Sequence, residues 1–153
     1  MNKRIASRMS AISPSLTLAI TAKAKAMKAA GEPVVSFGVG EPDFNTRGHI
    51  IDAAKAAHDK GYTKYTPSSG LAPLRKAICD KFLKDNGLSY EPSQIIVSDG
   101  AKHSIFNACF AILEEGDEVI IPTPYWLTYP EVVKVCGGVP VYVECKKEEK
   151  FKF

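Results

Sequence analysis

Three short runs of apolar and β-branched residues recur in the second half of the chain, with helical patterns between them. The runs cover residues 95–98, 118–121 and 139–143. Strands that alternate with helices in this way form parallel β-α-β units, because two parallel strands need a long crossover connection. The sequence therefore predicts an α/β fold around a mostly parallel sheet.

The first half of the chain is predicted to be mainly helical. Ser15 is a suitable N-cap for a helix that would end before Gly31. Further helices are predicted over about residues 49–60 and 71–86, and a short strand over residues 34–37. Three strands with two crossovers make only part of a doubly wound sheet, whose strands need neighbours on both edges. We therefore expect the fold to be cut off.

The charge distribution argues against a nucleic-acid-binding protein. The 153 residues carry a formal net charge of +3, yet six of the 20 basic residues precede the first acidic one, Glu32, which leaves 14 basic against 17 acidic residues. A basic arm on a mildly acidic body lacks the clustered basic face that nucleic acid requires. No apolar run is long enough to cross a membrane. The basic, acid-free residues 1–30 also suit an organelle transit peptide, although a mature arm and helix is the better interpretation of the same segment.

The cysteines and histidines indicate neither disulfides nor a metal site. Three of the four cysteines lie in apolar stretches and none forms a C-x-x-C pair, so we expect buried thiols of a reduced, cytoplasmic compartment. The histidines are far apart and lack metal-ligand spacing, so no metal is expected. These residues are Cys79, Cys109, Cys136, Cys145, His49, His58 and His103.

Two local features suggest binding chemistry. The first is the turn that runs from Asp99 to Lys102 between a predicted strand and a helix, because a helix N-terminus with unpaired amides binds anions. On this feature alone an ordinary β-α turn with a solvated lysine is the favoured interpretation, since the known phosphate-loop and dinucleotide motifs are absent. The second is Trp126, the only tryptophan, which follows a strand end where α/β sheets place ligands. A lone aromatic residue there also suits the core or an interface.

Seven short segments occur in the order typical of one enzyme family. The sequence resembles the N-terminal part of a fold-type I pyridoxal-phosphate aminotransferase, of the class I group that includes bacterial aspartate aminotransferases. The resemblance runs over essentially the whole chain. It implies a three-layer αβα fold that is truncated here. The segments are Ser7-Arg8, Pro14-Ser15-Leu16-Thr17, Gly40-Glu41-Pro42-Asp43-Phe44, Thr63-Lys64-Tyr65-Thr66-Pro67, Asp99-Gly100-Ala101-Lys102, Gly116-Asp117-Glu118-Val119 and Pro124-Tyr125-Trp126.

The resemblance implies pyridoxal 5′-phosphate as the cofactor and assigns residues to it. Gly100, Ala101 and Lys102 would bind the phosphate, largely through backbone amides. Trp126 would stack on the pyridine ring. Tyr65 would reach the phosphate of the neighbouring subunit, which implies a homodimer.

The resemblance also implies an amino acid and a 2-oxo acid as substrates. Gly40 would lie against the substrate α-carboxylate, where its missing side chain allows close approach. Thr17 and Lys102 would help to select an acidic side chain, with Trp126 bordering the same site, so aspartate or glutamate is the expected amino donor. Residues 1–47 would form the arm and part of a small domain, and residues 48–153 the first part of the large cofactor-binding domain.

The residues that carry out the chemistry are expected outside this sequence. In the family the Schiff-base lysine, the acid at the pyridine nitrogen and the arginine that binds the α-carboxylate all lie beyond residue 153, so we expect no catalytic residue here and an inactive chain. Lys102 is at the phosphate end and a poor substitute. The sequence departs from the family at Thr46-Arg47-Gly48 and at His103, where glutamine is frequent. We interpret both as structural drift.

Two other interpretations remain open on the sequence. One is a non-enzymatic phosphate-binding or dimerising module, which the strand-turn-helix unit and the lack of catalytic residues would suit. The other is a pyridoxal-phosphate-dependent lyase, because such enzymes have a similar N-terminal half.

Overall fold

The structure is a computed structural model that describes residues 5–153, and these form two compact units. The first contains the described residues up to Ser36 together with residues 99–153, and the second is Phe37–Ser98. The beginning of the predicted basic arm, residues 1–4, lies outside the described residues. The predicted domain boundary at residue 47 stays a prediction.

The first unit is built around a parallel β-α-β crossover. Strand β1 (Glu118–Thr123) is followed by helix α5 (Thr128–Val135) and strand β2 (Val139–Glu144). The two strands pair in parallel, from Glu118 opposite Val139 to Thr123 opposite Glu144. The predicted parallel α/β construction is confirmed, and β1 extends two residues beyond the predicted end.

Helices α1 (Leu16–Ala29) and α4 (Ala101–Ile112) complete this unit, with a short 3₁₀ turn at Ser7–Ala11. The Ser15 hydroxyl accepts a hydrogen bond from the Leu18 amide at 3.3 Å, which confirms the predicted N-cap. Helix α5 packs against α4, both strands and the 3₁₀ turn. The buried apolar side chains of the unit, Ile121, Pro130, Val133 and Cys145, centre on this helix and its strands.

The second unit is helical. It contains α2 (Gly48–Asp59) and α3 (Ala72–Lys81), a turn of π-helix at Phe82–Asn86 and a 3₁₀ turn at Pro92–Gln94. Both predicted helices are confirmed to within a residue or two, α3 together with its π-turn. Cys79 and Ile95 are its buried apolar residues.

Two predicted strands are wrong. Residues 34–37 and 95–98 form no ladder, and within residues 5–153 only β1 and β2 pair. A strand needs a hydrogen-bonding neighbour, and apolar composition alone does not supply one.

The negative predictions concern metals, disulfides and membranes. All four cysteines are free thiols. No cluster of potential metal ligands occurs among the residues that the structure describes. Over the same residues, no helix is both long and apolar enough to cross a bilayer.

Candidate functional site

One cavity of the first unit brings together three of the residues predicted to bind substrate. It has a volume of about 360 Å³ and is bordered by Thr17 from α1, Lys102 from α4 and Trp126 from the connection between β1 and α5. The remaining wall is largely apolar. It consists of Ile12, Ser13, Ser15, Leu18, Phe106, Leu127, Thr128, Glu131, Val132 and Val135.

Lys102 and Trp126 are in direct electrostatic contact across this cavity. The Lys102 Nζ lies 5.7 Å from the centroid of the Trp126 ring, within the range of a cation–π interaction. Trp126 is 51% exposed, so much of its surface remains free to contact another molecule. The pair presents a cation and an aromatic ring to the same space.

The N-terminus of α4 adjoins Lys102 and is open to an anion. Gly100, the N-cap, has φ +81° and ψ 170° and makes no side-chain cap, and only glycine adopts this conformation readily. The first helical bond at this end runs from the Ser104 amide to the Gly100 carbonyl at 3.2 Å, so the amides before Ser104 have no acceptor within the helix. Gly100 and Ala101 are not part of the described cavity wall.

His103 has a structural contact at this turn. Its Nδ1 accepts a hydrogen bond from the Asp99 amide at 3.1 Å. A glutamine, which is frequent here in the family, also carries an acceptor, so the histidine preserves the hydrogen-bonding capacity. The geometry agrees with the interpretation of His103 as structural drift.

Glu131 is a residue of the cavity wall that the sequence interpretation missed. Its Oε2 accepts a hydrogen bond from the Ser13 amide at 2.9 Å, and its Oε1 accepts one from the Lys134 Nζ at 3.0 Å. Partial burial opposes ionisation, but the Ser13 amide and the Lys134 ammonium outweigh it and lower the pKa of Glu131. The carboxylate thus joins helix α5 to the segment before α1.

A second cavity, of about 480 Å³, shares part of its wall with the first. Ser13, Leu127 and Glu131 border both cavities, and Tyr125 and Tyr142 border only the second. The two tyrosine rings stack with centroids 5.1 Å apart. Burial and the hydrogen bond with Tyr125 raise the pKa of Tyr142, so the Tyr142 phenol stays neutral near neutral pH.

Gly40 and Tyr65 belong to the second unit and are described there. Tyr65 exposes its whole side chain, at 107% of the reference area, beside a groove that it shares with Tyr62 and Lys64. A Cβ built on Gly40 would meet no atom of the described chain within 4 Å. The predicted roles of both residues stay predictions.

The donors in the first unit fit the chemistry of pyridoxal phosphate. Unpaired amides at the start of α4 and the Lys102 ammonium suit a phosphate group. The exposed part of the Trp126 ring suits an aromatic ring. These residues therefore provide groups for both ends of the cofactor, and their contacts with it remain predictions.

The family model and the curated relatives that match this chain are all aminotransferases. Residues 32–153 match the family described as aminotransferase class I and II. The aspartate aminotransferase of Bacillus subtilis (strain 168) is 59% identical over 149 residues, which is 97% of this chain and 38% of the relative. A probable aspartate/prephenate aminotransferase of Aquifex aeolicus is 53% identical over 152 residues, covering 99% of this chain and 39% of the relative.

A solved structure agrees in both sequence and fold. The aspartate aminotransferase of Thermus thermophilus with maleate superimposes with a TM-score of 0.93 at 45% identity, covering 97% of this chain and 39% of that one. The chain thus spans about 38% of the length of the curated relatives that it matches. The likeness includes the expected fold-type I architecture.

Proposed function

The chain belongs to the class I and II aminotransferases, and we propose that it forms the part of an aspartate aminotransferase that binds the cofactor and selects the substrate. The observation that carries the proposal is the placing of Thr17, Lys102 and Trp126 around one cavity beside the open N-terminus of α4. The aspartate aminotransferase names of the relatives support the same activity.

Each residue has a proposed task. The amides that begin at Ala101, together with the Lys102 ammonium, hold the phosphate. Trp126 covers one face of the cofactor ring and excludes water from it. When bound, pyridoxal phosphate supplies the electron sink through which an amino group passes between an amino acid and a 2-oxo acid.

The proposed substrates are a dicarboxylic amino acid, aspartate or glutamate, and a 2-oxo acid. Lys102 supplies a positive charge for the second carboxylate and Thr17 supplies a hydroxyl donor. The maleate named with the Thermus thermophilus structure is also a four-carbon dicarboxylate. The Aquifex aeolicus relative adds prephenate as a second candidate acceptor, and the apolar wall around Phe106 suits a ring of that size.

The whole enzyme is proposed to be a cytoplasmic homodimer. The fully exposed Tyr65 is available to a second subunit, where it would reach the partner's phosphate site. The four free thiols suit a reducing compartment. We assign no residue of this chain to proton transfer at the substrate α-carbon, so the 153-residue chain alone is expected to be inactive.

Binding of pyridoxamine 5′-phosphate tests the cofactor site directly. This form carries an amine in place of the aldehyde, so it forms no imine with surface lysines. Trp126 is the only tryptophan, and we expect its fluorescence to fall on titration with this compound. Pyridoxamine without phosphate should have little effect, and inorganic phosphate should compete.

The matched variants are Lys102→Met and Lys150→Met. Loss of the Lys102 charge should weaken binding about tenfold, because a hydrogen bond to a charged group contributes about 1.5–3 kcal/mol. Lys150 is exposed outside the site and its loss should leave the affinity unchanged. Equal affinities in both variants, or equal quenching by the unphosphorylated compound, would contradict the proposed phosphate site.

A further inference from the structure

We propose that Glu131 is a positioning residue that holds the segment before α1 by its main-chain amide and thereby fixes Thr17 at the cavity. The inference rests on the proposed function only where it concerns the substrate. The hydrogen bond itself can be tested without any ligand.

Both oxygens of the Glu131 carboxylate have defined partners. Oε2 accepts from the Ser13 amide at 2.9 Å and Oε1 from the Lys134 Nζ at 3.0 Å. Two bonds to two oxygens fix the rotation of a carboxylate as well as its position, which one bond would not do. Lys134 therefore orients the acceptor that Ser13 uses.

This contact is more sheltered than the other ion pairs of the described chain. The Lys134 and Glu131 side chains are 28% and 21% exposed, whereas the members of the other four pairs are 49–83% exposed. Charged hydrogen bonds lose less strength to solvent when they are partly buried. The Glu131 carboxylate that accepts from the Ser13 amide is thus the least exposed carboxylate of these ion pairs.

The held segment leads directly into the substrate-selecting residue. Ser13 is followed by Ser15, whose hydroxyl caps α1, and then by Thr17 in the first turn of that helix. All three residues border the same cavity as Glu131. Only Pro14 separates Ser13 from the capping Ser15, and the proline ring fixes its own φ, so the position of Ser13 constrains the start of α1 and Thr17.

Helix α5 is a suitable anchor for such a contact. It packs against β1, β2, α4 and the 3₁₀ turn at Ser7–Ala11, and its Val133 is 2% exposed. Glu131 lies in the first turn of this helix, where the helix dipole favours a carboxylate. The anchor is thus fixed to the sheet, whereas the segment that it holds precedes the first α-helix.

The test measures hydrogen exchange of the Ser13 amide in the 153-residue chain and in four variants. Glu131→Ala removes the acceptor and should accelerate this exchange about tenfold or more. Glu131→Gln keeps an oxygen acceptor without the charge and should give a smaller acceleration, of about threefold. The two controls are Ser13→Ala, which keeps the main-chain amide, and Asp80→Ala, which removes an exposed ion pair in the second unit. After correction for intrinsic rates, the amide of residue 13 should exchange in both controls as fast as it does in the unchanged chain.

A second measurement reports the position of the segment. Release of residues 12–18 from the cavity wall should make Trp126 more accessible, so acrylamide should quench its fluorescence more strongly in Glu131→Ala than in either control. Circular dichroism should show that Glu131→Gln retains its helices, which keeps the comparison valid if Glu131→Ala unfolds. Unchanged Ser13 exchange in both Glu131 variants, or unchanged quenching, would overturn the proposal.

A succinate titration followed by Trp126 fluorescence separates this inference from the proposed function. With pyridoxamine 5′-phosphate present, Glu131→Ala should bind this four-carbon dicarboxylate about fivefold or more weakly, because Thr17 is displaced. If the unchanged chain gives no response to succinate, the proposed substrate class fails, while amide exchange and quenching still decide the role of Glu131. If exchange rises but succinate affinity is unchanged, the positioning role is wrong.

Discussion

Gly70 has a backbone conformation that other residues rarely adopt and a neighbour that leaves no room for a side chain. Its φ is +99°, and a Cβ placed there would lie 2.5 Å from the Val97 Cγ2. We expect Gly70→Ala to lower the free energy of unfolding by about 1–3 kcal/mol, from backbone strain and overpacking together. Urea denaturation of the chain measures this.

Gly48 provides the matched control for that substitution. It is the first residue of α2, and a Cβ there would meet no atom within 4 Å. Gly48→Ala should leave the stability unchanged or raise it by up to about 1 kcal/mol, because alanine loses less conformational entropy in a helix. Equal destabilisation by both substitutions would contradict the role given to Val97.

Glu131 should make the free energy of unfolding depend on pH in the acidic range. Its pKa lies below the usual value in the folded chain, so its contribution is complete above the unfolded pKa, about 4.3, and is lost as the pH falls through the folded value. The free energy of unfolding should therefore fall more steeply below about pH 4 in the unchanged chain than in Glu131→Gln. The charged or titratable groups that share its cavities are Lys102, Lys134, Tyr125 and Tyr142.

Urea denaturation of the unchanged chain and of Glu131→Gln between about pH 3 and pH 7 measures this difference in the pH dependence of stability. Parallel curves for the two proteins would show that Glu131 titrates alike in the folded and unfolded chains.

At the scale of elements, the start of α1 depends on one hydroxyl. Ser15 Oγ accepts from the Leu18 amide at 3.3 Å, and the helix carries no acidic residue in its first turn. Ser15→Ala should cost about 1 kcal/mol of helix stability, whereas Ser15→Asp should retain the cap and add a favourable dipole interaction. Exchange of the amides in the first turn measures the effect, and equal exchange in the two variants would contradict it.

The helices could be predicted from the sequence because their signals are local. Ser15 caps α1, and its end before Gly31 follows from neighbouring residues. The strand predicted at residues 95–98 forms no ladder, because pairing depends on a neighbour that the local sequence does not specify. Strand prediction succeeded where β1 and β2 join through a short crossover.

The candidate site could be predicted from the sequence only where its residues match a family pattern. Thr17, Lys102 and Trp126 were expected together only because they match a family pattern, and the structure places them around one cavity. Glu131 was missed because its partner is a main-chain amide 118 residues away. No side-chain pattern records such a contact, although an acidic residue in the first turn of α5 is a weak signal.

At the scale of the whole molecule, the chain exposes much apolar surface. Large apolar side chains are exposed in each unit, among them Ile120 on β1 at 68% exposure and Phe37 at 95%. Surface of this kind is normally covered by other protein.

We therefore expect the 153-residue chain to associate when studied alone. Light scattering after size exclusion should show a mass above 16.6 kDa that increases with concentration, since apolar surface and open strand edges favour contact between copies. A dye that binds apolar surface should become fluorescent in its presence. A monomer at all concentrations without dye binding would contradict this expectation.

The hydrogen bond between Glu131 and the Ser13 amide affects which substitutions related sequences can accept at these two positions. Every amino acid except proline presents a main-chain amide, so position 13 can change its side chain while the hydrogen bond is kept. Substitutions at positions 13 and 131 should therefore be uncorrelated among related sequences, with proline alone excluded at position 13. A contact that joins distant parts of the chain would thus leave almost no trace in paired substitutions.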